Sequence, residues 1–147
     1  MVSPRLRTPV CDLFGIDIPV VQTGMGWVSG PKLTAATSAA GGLGILAAAT
    51  MTLEELGVAI RSVRERTDKP FGVNLRADQP DIEQRCDLLV DEGVRVASFA
   101  RAPGPRVIER LKERGMLVVP TIGARRHAEK VASWGVDAVI AQGHEGG

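Results

Sequence analysis

Val136-Asp-Ala-Val-Ile-Ala-Gln142-Gly-His-Glu-Gly-Gly147 is the stretch on which the fold turns. Small and β-branched apolar residues run straight into one polar amide, Gln142, and then into a glycine-rich turn. A buried parallel strand that delivers one hydrogen-bonding side chain to its carboxyl end reads this way. Glycines in such a turn let the backbone approach a ligand closely, because no Cβ holds the ligand off. A binding site is therefore expected at this strand end.

The same entry into a strand occurs twice more upstream. Asp91-Glu-Gly93-Val94, Glu113-Arg-Gly115-Met116 and Ser133-Trp-Gly135-Val136 each stop a helix on a glycine and begin a strand. Glycine at that position accepts the left-handed backbone that closes a helix. The strands so introduced are residues 94–99, 117–121 and 137–141. Nearer the start, residues 19–23, 44–49 and 71–74 read as three more. Gly24, Gly26 and Gly30 form the loop after the first, and Pro31 opens a helix capped by Ser29 or Gly30 that ends at Gly41-Gly42. Thr52-Leu-Glu-Glu55 has the spacing of a capping box, followed by Leu53, Leu56, Ile60 and Val63 at helical intervals. Asp81 opens another helix, with Ile82, Cys86 and Leu89 on its inner side. Strand starts recur every roughly 20 to 27 residues, the period of βα units in a parallel sheet.

Six strands and five intervening helices suit either an open doubly wound sheet or a (β/α)8 barrel, which needs about 250 residues and so would lack two units here. Periodicity does not choose between them. The dinucleotide signature is poor, since Gly24-Met-Gly26-Trp-Val-Ser-Gly30 has Ser29 where the third glycine of GxGxxG belongs.

Composition narrows the function classes. The chain has 147 residues, 44% of them hydrophobic and 3% aromatic, with 18 basic and 17 acidic side chains mixed along its length. One domain, or part of one, is expected, without the basic footprint of a nucleic-acid binder. Residues 39–53 are the most apolar region, but glycines interrupt them and they fall short of the ~20 residues a membrane helix needs. Cys11 and Cys86 have no ligand spacing, so no metal site is expected and a reduced, cytoplasmic setting is the default.

Four ordered motifs go further. Pro19-Val-Val-Gln-Thr-Gly-Met-Gly26, Ala40-Gly-Gly-Leu-Gly44, Lys69-Pro-Phe-Gly-Val-Asn-Leu75 and Ala141-Gln-Gly-His-Glu-Gly-Gly147 resemble, in order and approximate spacing, the nitronate monooxygenases. The resemblance runs from about Thr8 to the last residue. It implies the N-terminal portion of a single FMN-binding TIM barrel, about six of eight units, in an enzyme that oxidises alkyl nitronates with molecular oxygen. The flavin-dependent enoyl-acyl-carrier-protein reductases are similar over the same motifs.

Carried over residue by residue, the resemblance implies flavin contacts from Gly24, Met25 and Gly26 in the first loop, Asn74 at the third strand end, and Gln142 and Gly147 after the sixth strand. Amide side chains suit the alternating donors and acceptors of a flavin edge. Gly24 stands where the family usually has a proline, which implies a looser loop. The family's catalytic histidine falls just past the glycines matching Gly146-Gly147, so no catalytic residue is assigned and His144 is not promoted to that role. The loops after the last two strands, where barrels commonly hold a cofactor phosphate, are also outside the chain. Three readings stay open: a fragment of a longer enzyme, a disrupted gene product, or a piece that self-associates or is completed by a second polypeptide.

Taken singly, these residues have plainer roles. Asn74 would be a turn former outside its Phe-Gly-Val-Asn context, and Met25 would be core filler. His127, in Arg125-Arg-His-Ala-Glu-Lys130, reads as solvated surface. Trp134 is expected to pack helix on sheet, Trp27 could line a pocket, and both cysteines read as structural.

Overall fold

A computed structural model describes residues 6–144. Six parallel strands alternate with helices in the order α1 (Pro9–Phe14), β1 (Val21–Gln22), α2 (Pro31–Ala39), β2 (Leu43–Ala47), α3 (Leu53–Arg64), β3 (Phe71–Leu75), α4 (Ile82–Asp91), β4 (Val96–Phe99), α5 (Pro105–Glu113), β5 (Leu117–Ile122), α6 (Arg125–Ala132) and β6 (Ile140–Ala141). Each strand pairs only with its sequence neighbours, giving the order β1-β2-β3-β4-β5-β6. A doubly wound sheet reverses direction at a switch point, whereas this strict succession is that of a (β/α)8 barrel carried through six of its units.

Local chemistry sets the helix ends. Pro31 and Pro105 occupy the first turn after Gly30 and Gly104, where a missing N–H costs nothing. Thr52 and Glu55 form the full capping box: Glu55 N donates to Thr52 Oγ1 at 3.2 Å, and Thr52 N donates to Glu55 Oε2 at 2.8 Å. At the other ends Gly93, Gly115 and Gly135 have φ of 60°, 76° and 84°. Asp81 precedes α4 as expected, but its carboxylate accepts Arg85 Nε at 2.8 Å and caps no backbone N–H.

Two apolar layers hold the sheet. The outer layer packs Leu56, Ile60 and Val63 of α3, Leu89 of α4 and Ile108 and Leu111 of α5 on Leu46, Val73, Leu75, Ala97, Phe99 and Val118. Gly44 makes the closest approach; a Cβ there would lie 2.1 Å from the Thr34 carbonyl oxygen, so α2 sits directly on β2. The inner layer is built from Leu43, Ile45, Val96 and Val119 and is covered at the amino-terminal end by Cys11, Phe14 and Ile16. Helix α1, which supplies Cys11 and Phe14, is absent from the sequence reading. Trp134 is half-buried against the outer layer, with Lys130 Nζ 5.2 Å from its ring centroid. Both cysteines are buried thiols, and burial pushes that of Cys86 up to about 11. Among the described residues, no helix is long and apolar enough to cross a membrane.

Candidate functional site

Because every strand is parallel, all six carboxyl ends lie on one rim, and side-chain alternation decides which residues face inward there. Register aligns Ala47, Asn74, Ser98 and Val119 across β2 to β5. Asn74 Nδ2 donates to Ser98 Oγ at 3.1 Å. Ser98 is fully buried, so this bond orients the amide from below and commits its N–H side to protein. Among the described residues no donor reaches Asn74 Oδ1, which remains available as an acceptor.

The loop after β1 is laid against this amide. A Cβ built at Gly24 would meet Asn74 Cβ at 2.5 Å, closer than real contacts come, so only glycine permits the approach. Ser29 and Gln22 tie the loop. Ser29 Oγ accepts from Met25 N and Gln22 Nε2, both at 2.9 Å, and donates to the Thr23 carbonyl at 3.0 Å. Gln22 Nε2 also reaches the Ile45 carbonyl at 3.1 Å, while Ala47 N donates to the Ser29 carbonyl at 3.0 Å. Gln22 Oε1 is buried without a partner among the described residues. At the loop tip Met25, Trp27 and Val28 expose apolar surface, Trp27 being 90% exposed with φ 48°. Met25 is thus rim surface and not core filler. Trp27 does border a groove, with Ala47, Thr50, Met51 and Glu55.

The segment after β2 is held from the side by Arg85. This guanidinium, 3% exposed, donates to the Ala48 carbonyl at 3.2 Å and the Met51 carbonyl at 2.7 Å, while Asp81 accepts its Nε. The Arg85 bond holds the Asp81 carboxyl below its usual range. The sequence reading names neither Arg85 nor Ser98, and it offers Ser29 only as a possible cap of α2, a position Gly30 takes. A lone polar residue in the apolar run Val96-Ala-Ser98-Phe99, in register with Asn74, was the available signal for Ser98.

Gln142 follows β6, where its backbone N donates to the Ile122 carbonyl at 3.1 Å. It is exposed and stands three strands from Asn74, roughly 14 Å along the sheet at the usual strand spacing. The structure therefore brings Gly24 onto Asn74 but sets Gln142 on another sector of the rim. There it lines a cleft of about 780 Å³ with Arg101, Thr121, Gly123, Arg126, His127 and His144. His127 is exposed at the start of α6, as its charged surroundings suggest. Gly26 has open space around it, and Gly147 lies outside the described residues.

The family model for nitronate monooxygenase matches residues 7–85 and 81–147. The chain is 64% identical over 143 residues to the (3aS,4S,5R,7aS)-5-hydroxy-7a-methyl-1-oxo-octahydro-1H-indene-4-carboxyl-CoA dehydrogenase of Mycobacterium tuberculosis, covering 97% of this chain and 40% of that protein. It is 30% identical over 179 positions to a probable nitronate monooxygenase of Staphylococcus saprophyticus, covering 97% of this chain and 50% of the relative. The structure of FabK from Thermotoga maritima superposes with a TM-score of 0.91 at 40% identity, over 95% of this chain and 45% of that one. The chain thus spans about half the length, or less, of the proteins it matches. It belongs to the nitronate monooxygenase family.

Proposed function

We propose that the protein carrying this chain is an FMN-dependent oxidoreductase whose substrate is a cyclic carboxyl-CoA thioester. The observation that supports a flavin is the contact between Gly24 and Asn74: backbone without a Cβ lies against an amide whose Oδ1 still accepts. A flat heteroaromatic ring with polar edges fits such a shelf, and when bound it supplies the redox chemistry. The loop of Gly24, Met25 and Gly26 would lie along the ring, Asn74 would hydrogen-bond its edge, and Gln142 with Gly147 would meet it from the far side. Ser98, Ser29 and Gln22 hold those groups in place.

The substrate class rests on similarity. Alignment to the mycobacterial dehydrogenase takes 143 positions for 97% of this 147-residue chain, so it is essentially free of gaps. Alignment to the staphylococcal monooxygenase takes 179 positions for the same share, so roughly three dozen of them fall opposite gaps in this chain. The loop lengths here are those of the dehydrogenase. A second reading, oxidation of alkyl nitronates with molecular oxygen, is favoured by the family model itself.

Anaerobic titration of the whole flavoprotein separates them. A 5-hydroxy-indene-carboxyl-CoA thioester should bleach the flavin without oxygen. Rapid oxygen uptake with a nitronate, and no bleaching by the thioester, would instead establish the monooxygenase. Bleaching by NADH alone would favour an enoyl reductase.

A further inference from the structure

We propose that the cleft between the β4 and β5 strand ends holds the phosphorylated nucleotide end of the CoA thioester, gripped by Arg101 and Arg126. The inference rests on the substrate reading above and adds where that substrate is held. Arg101 follows β4 and Arg126 lies in the first turn of α6 after β5, so the two guanidinium groups stand on neighbouring loops of one rim. Both border the same cleft, together with His127, Gly123 and Ala124.

Charge is segregated there. In a chain of nearly balanced composition, no carboxylate among the described residues lines this cleft. Among the described residues neither Arg101 nor Arg126 forms an ion pair, whereas the adjacent Arg125 is spent on Glu129 at 2.7 Å and Arg76 on Asp78 at 2.7 Å. Asp78 lines the adjoining sector together with Arg101. Its carboxyl is held below the usual range chiefly by the hydrogen bond from Arg76, with Arg101 contributing a smaller attraction. Arg126 Nε lies 3.4 Å from His127 Nε2, which keeps the two side chains together.

Two guanidinium groups without a carboxylate partner among the described residues, one after β4 and one in the first turn of α6, form a fork for a dianionic phosphate, and guanidinium is the group best shaped to bind one through paired N–H bonds. The cleft continues toward Arg76 through Ala100, Arg101 and Ala102, which line both sectors, so an extended ligand has a path toward the Asn74 side of the rim. A CoA thioester has this form, with an anionic nucleotide at one end and the reacting acyl group at the other.

The test uses the whole flavoprotein and two probes: the CoA thioester, and adenosine 3′,5′-bisphosphate, the nucleotide piece of CoA. Arg101→Ala and Arg126→Ala should each weaken bisphosphate binding about tenfold or more, as loss of a charge-assisted bond does. Each should raise KM for the CoA thioester similarly with kcat within about twofold, and leave KM for the matching N-acetylcysteamine thioester unmoved. Arg126→Lys should recover part of the affinity, and Arg125→Ala should change nothing. Unaltered bisphosphate binding in both alanine variants would overturn the proposal, as would equal effects on the two thioesters. Loss of flavin from the variants would also overturn it, by assigning the cleft to the cofactor phosphate. If the parent protein turns over no thioester, the substrate reading fails on its own, and the bisphosphate titration still judges the cleft.

Discussion

A single methyl group separates two states of the rim at Gly24. With a Cβ only 2.5 Å from Asn74 Cβ, Gly24→Ala must push the loop off β3, because Asn74 is fixed in register between Ala47 and Ser98. Overpacking of this kind costs about 1–3 kcal/mol, so a lower thermal midpoint and reduced flavin content per chain are expected in the whole protein. A stable variant with full flavin would show that the loop is not a cofactor shelf. Asn74→Ala probes the amide itself. It removes the acceptor Oδ1 and leaves the buried Ser98 hydroxyl without its donor, and an unsatisfied buried polar group costs about 1–3 kcal/mol. Flavin retained through dialysis at the parent level would refute the assignment, whereas Ser98→Ala should loosen the amide and lower flavin content less. Asn74 was legible because its motif names it. Ser98 was not, since its hydroxyl acquires a role only when the fold sets it beside a partner distant in sequence, and Ser29 reads from the sequence only as a possible helix cap.

Elements were legible in proportion to how local their signals are. The capping box of α3 and the left-handed glycines after α4, α5 and α6 involve residues within one turn, and they appear as read. Helix α1 escaped because its six residues carry no periodic stripe; Cys11 and Phe14 earn their burial only against β2, β4 and β5 of the distant sheet. The first and last strands were read too long, since each pairs over two residues at an edge. The capping box also makes a pH-dependent prediction. Hydrogen bonding from the Thr52 backbone, and secondarily its side chain, lowers the Glu55 pKa from its ordinary 4.5. A depressed folded pKa contributes stability that is complete above the unfolded value and is lost as pH falls through the folded one. The thermal midpoint of Glu55→Gln should therefore lie below the parent at pH 7 and converge with it as pH drops below about 4.5. A difference constant from pH 7 to 3 would show that the carboxylate does not act as the cap partner. Thr52→Ala should cost about 1 kcal/mol at neutral pH.

At the scale of the molecule, six successive strands form an arc whose ends, β1 and β6, each have one paired side among the described residues. Periodicity counted the βα units but was silent on closure, which depends on which strands meet at the ends. Val20 and Val21 at the β1 edge are 54% and 39% exposed, so the open side offers apolar surface as well as unpaired backbone. Such an edge pairs with whatever strand reaches it. The mycobacterial and staphylococcal relatives are more than twice as long as this chain, and two further βα units would close the arc. The 147-residue chain on its own is therefore expected to elute in size-exclusion with light scattering as a dimer or larger species. It should also bind FMN weakly, since the rim sectors bearing Asn74 and Gln142 would be fixed relative to each other only through the arc. Each charge-assisted phosphate contact lacking from the arc removes a further ~1.5–3 kcal/mol. Adding a separately made polypeptide that carries the remaining units should recover a discrete species and raise flavin affinity by powers of ten. A monodisperse monomer of the 147-residue chain with submicromolar FMN affinity would mean that the arc closes on itself, and the assignment of its two edges as open would have to be withdrawn.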